Sequence, residues 1–183
     1  MTIAAHEQNL VVSVDNFAPS EYTAHYNRTE QNKFVDYIII MGYDEHYVGS
    51  AAGSVSSIPW MQEGIEKTVA LVPANKVINA VPFYTRVWKT KDGQVSSSAM
   101  GMADAKDYLS RNKMTTGFDE TTLQNYSERT SGGVLYQVWL EDYDSMKLRL
   151  NIMQSNGLAG IASWRLGYET PDIWDLISAY MAQ

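Results

Sequence analysis

The sequence predicts an α/β chain in which short buried strands alternate with helices on a parallel sheet, and three observations carry that reading. Apolar runs rich in β-branched residues, such as Tyr37-Ile-Ile-Ile-Met41, lack the in-out alternation of a half-solvated strand and suit strands covered on both faces. Between such runs, apolar residues recur at helical spacing, as Met61, Ile65, Val69 and Val72 do. From Val87 to Leu140 the rhythm changes to short segments punctuated by Gly and Ser, which marks a small α+β piece over residues 87–140.

Taken in order, residues 10–14 read as the first strand, with Asp15 and Asn16 beyond it facing the rim and Pro19 closing the turn. Residues 21–33 are polar, with aromatic residues at loosely helical spacing, and read as a short helix or an irregular crossover. Residues 35–41 form the next strand, and two strands joined by a crossover run parallel. A Gly/Ser/Ala-rich loop over 49–59 leads to a helix over 60–72, stopped by Pro73 and Asn75. Residues 76–82 give a third strand, with Phe83-Tyr-Thr-Arg86 at its carboxyl end. Within the α+β piece, 103–112 reads as a helix, and 124–127 with 133–140 as a hairpin around a Gly-containing turn. Asp142 and Ser145 offer N-cap oxygens to a helix that runs to Ser155 and stops at Asn156-Gly157. A fourth strand follows over 158–164, and a helix over 172–181 is opened by Pro171. Four strand–helix units are half of a (β/α)8 barrel, which takes about 250 residues in full.

Composition narrows the function. A chain of 183 residues, 45% hydrophobic, is long enough for one domain spanning residues 1–183. Its 12 Tyr and 5 Trp fit either an ordinary aromatic core or a cleft that stacks on sugars, and composition leaves both open. A net charge of −7 without any Lys/Arg cluster argues against a nucleic-acid partner. The absence of Cys removes disulfides, thiolate catalysis and Cys-based zinc sites, and His6, His25 and His46 show no ligand-like spacing. No metal and no cofactor are expected. With no run of about 18 apolar residues and no basic-then-apolar leader, neither a membrane span nor a signal peptide is expected.

Chemistry concentrates just past the second strand, where Gly42, Tyr43, Asp44, Glu45, His46 and Tyr47 crowd a phenol, two carboxylates and an imidazole at the end where parallel sheets bind ligands. Tyr84 and Arg86 lie two apart and would point the same way on a strand. Trp164 ends the fourth strand, Trp88 follows the third, and Trp60 and Trp139 are further stacking candidates. Each has a plainer reading. Tyr43 and Trp164 fit a core, Asp44 an Asx-turn, Arg86 a salt bridge, Glu45-His46 a hydrogen-bonded loop pair, and Glu141-Asp142 a helix cap.

The motifs resemble family 18 glycoside hydrolases, and most of all the bacterial branch of spore-cortex and cell-wall peptidoglycan N-acetylglucosaminidases related to the chitinases. Asp36-Tyr-Ile-Ile-Ile-Met-Gly-Tyr-Asp-Glu-His46 is similar to the sixth barrel strand, Val81-Pro-Phe-Tyr-Thr-Arg86 to the seventh, Val138-Trp-Leu-Glu-Asp142 to the segment before the last helix pair, and Gly157-Leu-Ala-Gly-Ile-Ala-Ser-Trp164 to the eighth. The resemblance implies strands five to eight of a TIM barrel, with an insertion between strands seven and eight. One family signature, Asp-x-x-Asp-x-Asp-x-Glu, whose Glu is the general acid, is absent from the sequence. A fragment of a longer protein is therefore expected, inactive alone.

In this family the substrate's own N-acetyl oxygen attacks the anomeric carbon. The resemblance implies that Tyr43 orients the acetamide, that Asp44, Tyr84, Arg86 and Trp88 contact substrate, and that Trp164 is the stacking floor. The implied partner is a carbohydrate polymer containing N-acetylglucosamine, peptidoglycan or chitin, and the implied location is extracellular, at the cell wall or spore. A non-catalytic, lectin-like barrel is the alternative. The open edges of a half barrel would also favour a homodimer.

Overall fold

The computed structural model describes residues 2–182. A short helix, α1 (Thr2–His6), precedes β1 (Ser13–Phe17), and α2 (Arg28–Gln31) lies in the crossover to β2 (Tyr37–Met41). α3 (Ile58–Val69) and β3 (Val77–Pro82) follow. The chain then builds β4 (Tyr84–Lys91), β5 (Gln94–Gly101), α4 (Met102–Arg111), β6 (Thr116–Asp119), β7 (Gln124–Ser131) and β8 (Val134–Trp139). It closes with α5 (Tyr143–Ser155), β9 (Gly160–Trp164) and α6 (Asp172–Met181). Two sheets result: a parallel one in the order β1-β2-β3-β9, and an antiparallel one in the order β5-β4-β8-β7-β6.

The parallel sheet has one dry face. Ile38 and Ile40 of β2 and Val77 and Val81 of β3 pack with Met61 and Ile65 of α3, Met146, Leu150 and Met153 of α5, and Ile173 of α6. Alternate residues look the other way, so Tyr37, Ile39 and Met41 are only half-buried. Paired in register with them are Phe17 beside Met41, Met41 beside Ala80, and Ala80 beside Ala162. Phe17 and Trp164 on this second face are exposed.

Several sequence expectations shift. The first strand pairs from Ser13, not Leu10, because its partner begins at Tyr37 and the Asp36 carboxylate takes the Val12 N–H at 2.7 Å. Leu10 and Val11 therefore lie outside the ladder and are exposed, and apolar character alone misplaced the strand by three residues. α3 starts at Ile58 because Pro59 is tolerated in a first turn, where its missing N–H has no partner to lose. The antiparallel sheet begins at Tyr84 rather than Val87 and holds a hairpin, β4–β5, that the sequence reading missed. The signal was Asp92-Gly93, with φ of 48° and 76°, the pair that a two-residue primed turn requires. Gly132 and Gly133 make the equivalent turn between β7 and β8. α5 is capped as expected: the Asp142 carboxylate accepts from the N–H groups of Asp144 and Ser145, and the Ser145 hydroxyl accepts from Asp142 N–H. Among the described residues no helix is long and apolar enough to cross a membrane.

Candidate active site

β2 delivers the central residues. Gly42 N–H donates to the Ala80 carbonyl at 2.9 Å, and a Cβ on Gly42 would sit 2.7 Å from that oxygen, so only glycine lets the chain leave β2 this close to β3. Tyr43 follows, half-buried, its ring edge-on to Tyr84 at 6.3 Å between centroids. Asp44 then adopts φ 62°, a left-handed conformation that costs a non-glycine residue on the order of 1 kcal/mol. The turn aims its carboxylate at β4, where it accepts the Tyr84 hydroxyl at 2.5 Å.

Electrostatics keep both phenols protonated. Burial raises the Tyr43 hydroxyl above its ordinary pKa, and the nearby carboxylates of Asp15 and Asp44 raise it further. Tyr84 is raised more strongly, first by burial and then by its bond to Asp44, against a small opposing effect of Arg86. Both are hydrogen-bond donors throughout the neutral range.

Asp44, Tyr84, Arg86, Trp164, Arg165 and Tyr168, with Ala99, line a cleft of about 370 Å³ at the carboxyl ends of β2, β3 and β9. The Trp164 indole is 56% exposed, and the peptide bond after it is cis. A second, more apolar cleft of about 590 Å³ opens on the other side of Asp44, where Phe17, Tyr22, Tyr43, Tyr47 and Trp60 gather. Asp44 thus stands at the junction of the two.

The structure brings Tyr43, Asp44, Tyr84, Arg86 and Trp164 together and separates Trp88 from them. Trp88 is 1% exposed and donates its indole N–H to the Gly53 carbonyl at 2.8 Å, so it has no face left for a ligand. On β4 it lies beyond the cleft and braces the β2–α3 loop from the side. Asn16 is likewise not at the rim; it is buried and donates to Gln31 at 2.6 Å. Asp15 points the other way, toward Tyr43. Trp139 donates its indole N–H to Asp119 at 2.9 Å. Glu45 accepts from Ser57 N–H at 2.6 Å and from the Ser57 hydroxyl at 3.1 Å, and His46 Nδ1 bonds the Ser54 carbonyl at 2.9 Å. Both therefore fold the loop back on itself.

That loop is held by a network that the sequence reading took for a helix cap. Glu141 and Arg149 are fully buried and paired at 2.6 Å. Arg149 also donates to the Ser56 hydroxyl at 2.9 Å and to the Ser56 carbonyl. Gln124 of β7 donates to Glu141 at 2.8 Å and accepts the Ser54 hydroxyl at 2.5 Å. Burial pushes the Glu141 carboxyl up, against the pull of Arg149. One signal was available: Arg149 falls in the same helical row as Met146 and Met153, where a charge needs a buried partner.

The sequence profile of glycosyl hydrolases family 18 matches residues 3–169. The chain belongs to glycosyl hydrolases family 18. Among its family 18 relatives, the cortical fragment-lytic enzyme of Bacillus subtilis is 28% identical over 160 residues, which are 86% of this chain and 37% of that protein. A chitinase from Chromobacterium violaceum superposes with a TM-score of 0.89 at 25% identity, over 100% of this chain and 59% of the chitinase. The spore cortex-lytic enzyme SleL of Bacillus megaterium shares the fold, with a TM-score of 0.86 at 20% identity over 97% of this chain and 42% of that one. This chain spans between 34% and 44% of the length of the curated relatives it matches. Family membership gives it the α/β, TIM-barrel-like class.

Proposed function

We propose that this chain is the C-terminal part of a glycoside hydrolase that cuts β-1,4-linked N-acetylglucosamine polymers by substrate-assisted retaining hydrolysis. Its four parallel strands are then strands five to eight of the barrel, and the antiparallel sheet with α4 is an insertion between strands seven and eight. The observation that carries this reading is the convergence of Asp44, Tyr84 and Trp164 on one cleft at the carboxyl ends of the strands, with Tyr43, edge-on to Tyr84, lining the adjoining cleft that Asp44 shares.

The acetamide carbonyl oxygen of the sugar attacks its own anomeric carbon, so the protein has to orient that group and stabilise the positive charge that develops. Tyr43 donates its hydroxyl to the acetamide oxygen. Asp44, held by Tyr84, takes the amide N–H or a sugar hydroxyl, and the exposed Trp164 indole is the floor for the ring. Departure of the leaving sugar needs a proton donor, and the Asp-x-x-Asp-x-Asp-x-Glu motif that supplies it in the family is absent from the sequence. The purified chain is expected to bind N-acetylglucosamine oligomers without hydrolysing them, and turnover of a chromogenic oligomer at any pH would sink that expectation. In a longer, active form, Tyr43→Phe lowers kcat by about 10- to 1000-fold with little change in KM. The missing motif also fits a non-catalytic, lectin-like barrel. A Glu closing the fourth strand of the longer protein decides for the enzyme.

The relatives include cortical fragment-lytic enzymes, which supports a role at the cell wall or spore, and the proposed work is extracellular. Within the described chain β1 and β9 are the edges of the parallel sheet, and unpaired edges recruit strands, so we expect a homodimer through them. Light scattering coupled to size exclusion tests this: a monomer at all concentrations means the edges are capped in another way.

A further inference from the structure

Of the two clefts that meet at Asp44, the one beside Trp164 is accounted for by a sugar ring, and the other is not. That second cleft, of about 590 Å³, is walled by aromatic side chains from three segments: Tyr22 from the loop after β1, Tyr47 from the loop after β2, and Trp60 from the first turn of α3. Tyr22 is 92% exposed and Tyr47 55%. The backbone that carries them is nevertheless held. The Phe17 carbonyl accepts from the buried Arg28 guanidinium at 2.7 Å, the Thr23 hydroxyl donates to the Ala18 carbonyl at 3.0 Å, and the Tyr47 N–H donates to the Ser50 hydroxyl at 3.1 Å. Loops fixed before a ligand arrives leave little ordering to be done on binding.

Among the described residues that line this cleft, the charged ones are Asp44 and Glu45, and both carboxylates are already engaged, by the Tyr84 hydroxyl and by Ser57. An anion entering here meets like charge without a cation to offset it, whereas an uncharged apolar group exchanges water for aromatic surface. Asp44 borders both clefts, so with the N-acetylglucosamine ring on Trp164 the leaving sugar lies toward the aromatic one. The oxygen on carbon 4 of that leaving sugar belongs to the bond that is cut, and its substituent on carbon 3 projects beside that bond. In chitin this substituent is a hydroxyl. In peptidoglycan it is a lactyl ether whose carboxyl is closed as an amide, which puts a methyl group and a neutral amide at the same place. We propose that the aromatic cleft takes this 3-O-lactyl amide branch of a leaving N-acetylmuramoyl residue and thereby favours peptidoglycan over chitin. The proposal rests on the reading of the Trp164 cleft as an N-acetylglucosamine site.

Isothermal titration of the 183-residue chain with three disaccharides tests this: N-acetylglucosaminyl-N-acetylmuramic acid, its lactyl N-methylamide, and N,N′-diacetylchitobiose. The methylamide is expected to bind about tenfold tighter than chitobiose, through burial of the lactyl methyl and amide against the rings. The free acid is expected to bind more weakly than the methylamide, by a gap that narrows as salt rises. Tyr22→Ser and Tyr47→Ser change exposed residues that do not line the Trp164 cleft, and each is expected to shrink the methylamide-to-chitobiose ratio about threefold. Equal affinity for methylamide and chitobiose overturns the branch assignment and leaves the Trp164 site standing. A ratio unchanged in both variants overturns the assignment to this cleft, and a free acid bound as tightly as the methylamide overturns the selection for a neutral branch. Binding of none of the three overturns the proposal and the glycan reading together.

Discussion

In the parallel sheet, neighbours come from distant parts of the chain: β3 pairs with β9 across some eighty residues, and the pairing is cemented by helices on one face. In the antiparallel sheet, β4–β5 and β7–β8 are joined by two-residue turns, and a small cluster of Val87, Ala105, Leu109, Val138 and Leu140 suffices to seat α4. The first sheet has a large core and an uncovered second face; the second is local and self-contained. Their contrast shows what each contributes. The parallel sheet fixes where Tyr43, Asp44 and Trp164 emerge, while the antiparallel sheet brings up Tyr84 and Arg86 from the side and braces the loop behind Asp44.

The largest test of that division is the buried pair at which the two meet. Arg149→Ala leaves the buried Glu141 without its counter-charge and is expected to cost about 3–5 kcal/mol in urea unfolding, whereas replacing both partners by Met and Leu recovers most of the loss. A single mutant within about 1 kcal/mol of the parent means the seam is not held there.

The two faces of one strand give the next comparison. Ile40→Ala opens a hole in the helix-side core and is expected to cost about 2–5 kcal/mol, against about 1 kcal/mol for Ile39→Ala on the half-open face. Equal costs would show that the second face is covered in solution, as a homodimer would do. Gly42→Ala forces β2 and β3 apart at the Ala80 carbonyl and is expected to cost roughly 1–3 kcal/mol and to weaken oligomer binding by displacing Tyr43 and Asp44. Gly93→Ala, which meets no atom but must hold φ 76°, is expected to cost about 1 kcal/mol and leave binding untouched. A Gly42→Ala protein that binds normally would uncouple the strand exit from the site.

The smallest effect concerns pH. The Val12 N–H, and after it His6, hold the Asp36 carboxyl below its usual range. A carboxylate with a lowered folded pKa contributes stability above its unfolded value of about 3.9 and loses it as the pH falls through the folded value. Asp36→Asn is therefore expected to flatten the acid limb of the urea midpoint below about pH 4, with little change at neutral pH. An unchanged acid limb would show that the start of β1 is not pinned by this carboxylate.

By itself the sequence determined the order of buried runs and helices, because period and burial are local properties that survive without knowledge of partners. It also carried the cap at Asp142 and Ser145 and the crowding of Tyr43, Asp44 and Trp164 at strand ends. Only the tertiary structure decided where β1 begins, since pairing depends on a partner strand 24 residues away. It alone decided that Trp88 faces inward and Arg165 faces the cleft, because a side chain's direction at a strand end depends on which sheet the next residues join. The Glu141–Arg149 pair was hidden for the same reason. A charge inside a protein is tolerated only by the groups around it, and those groups, Ser54, Ser56 and Gln124, come from segments that meet only when the chain is folded.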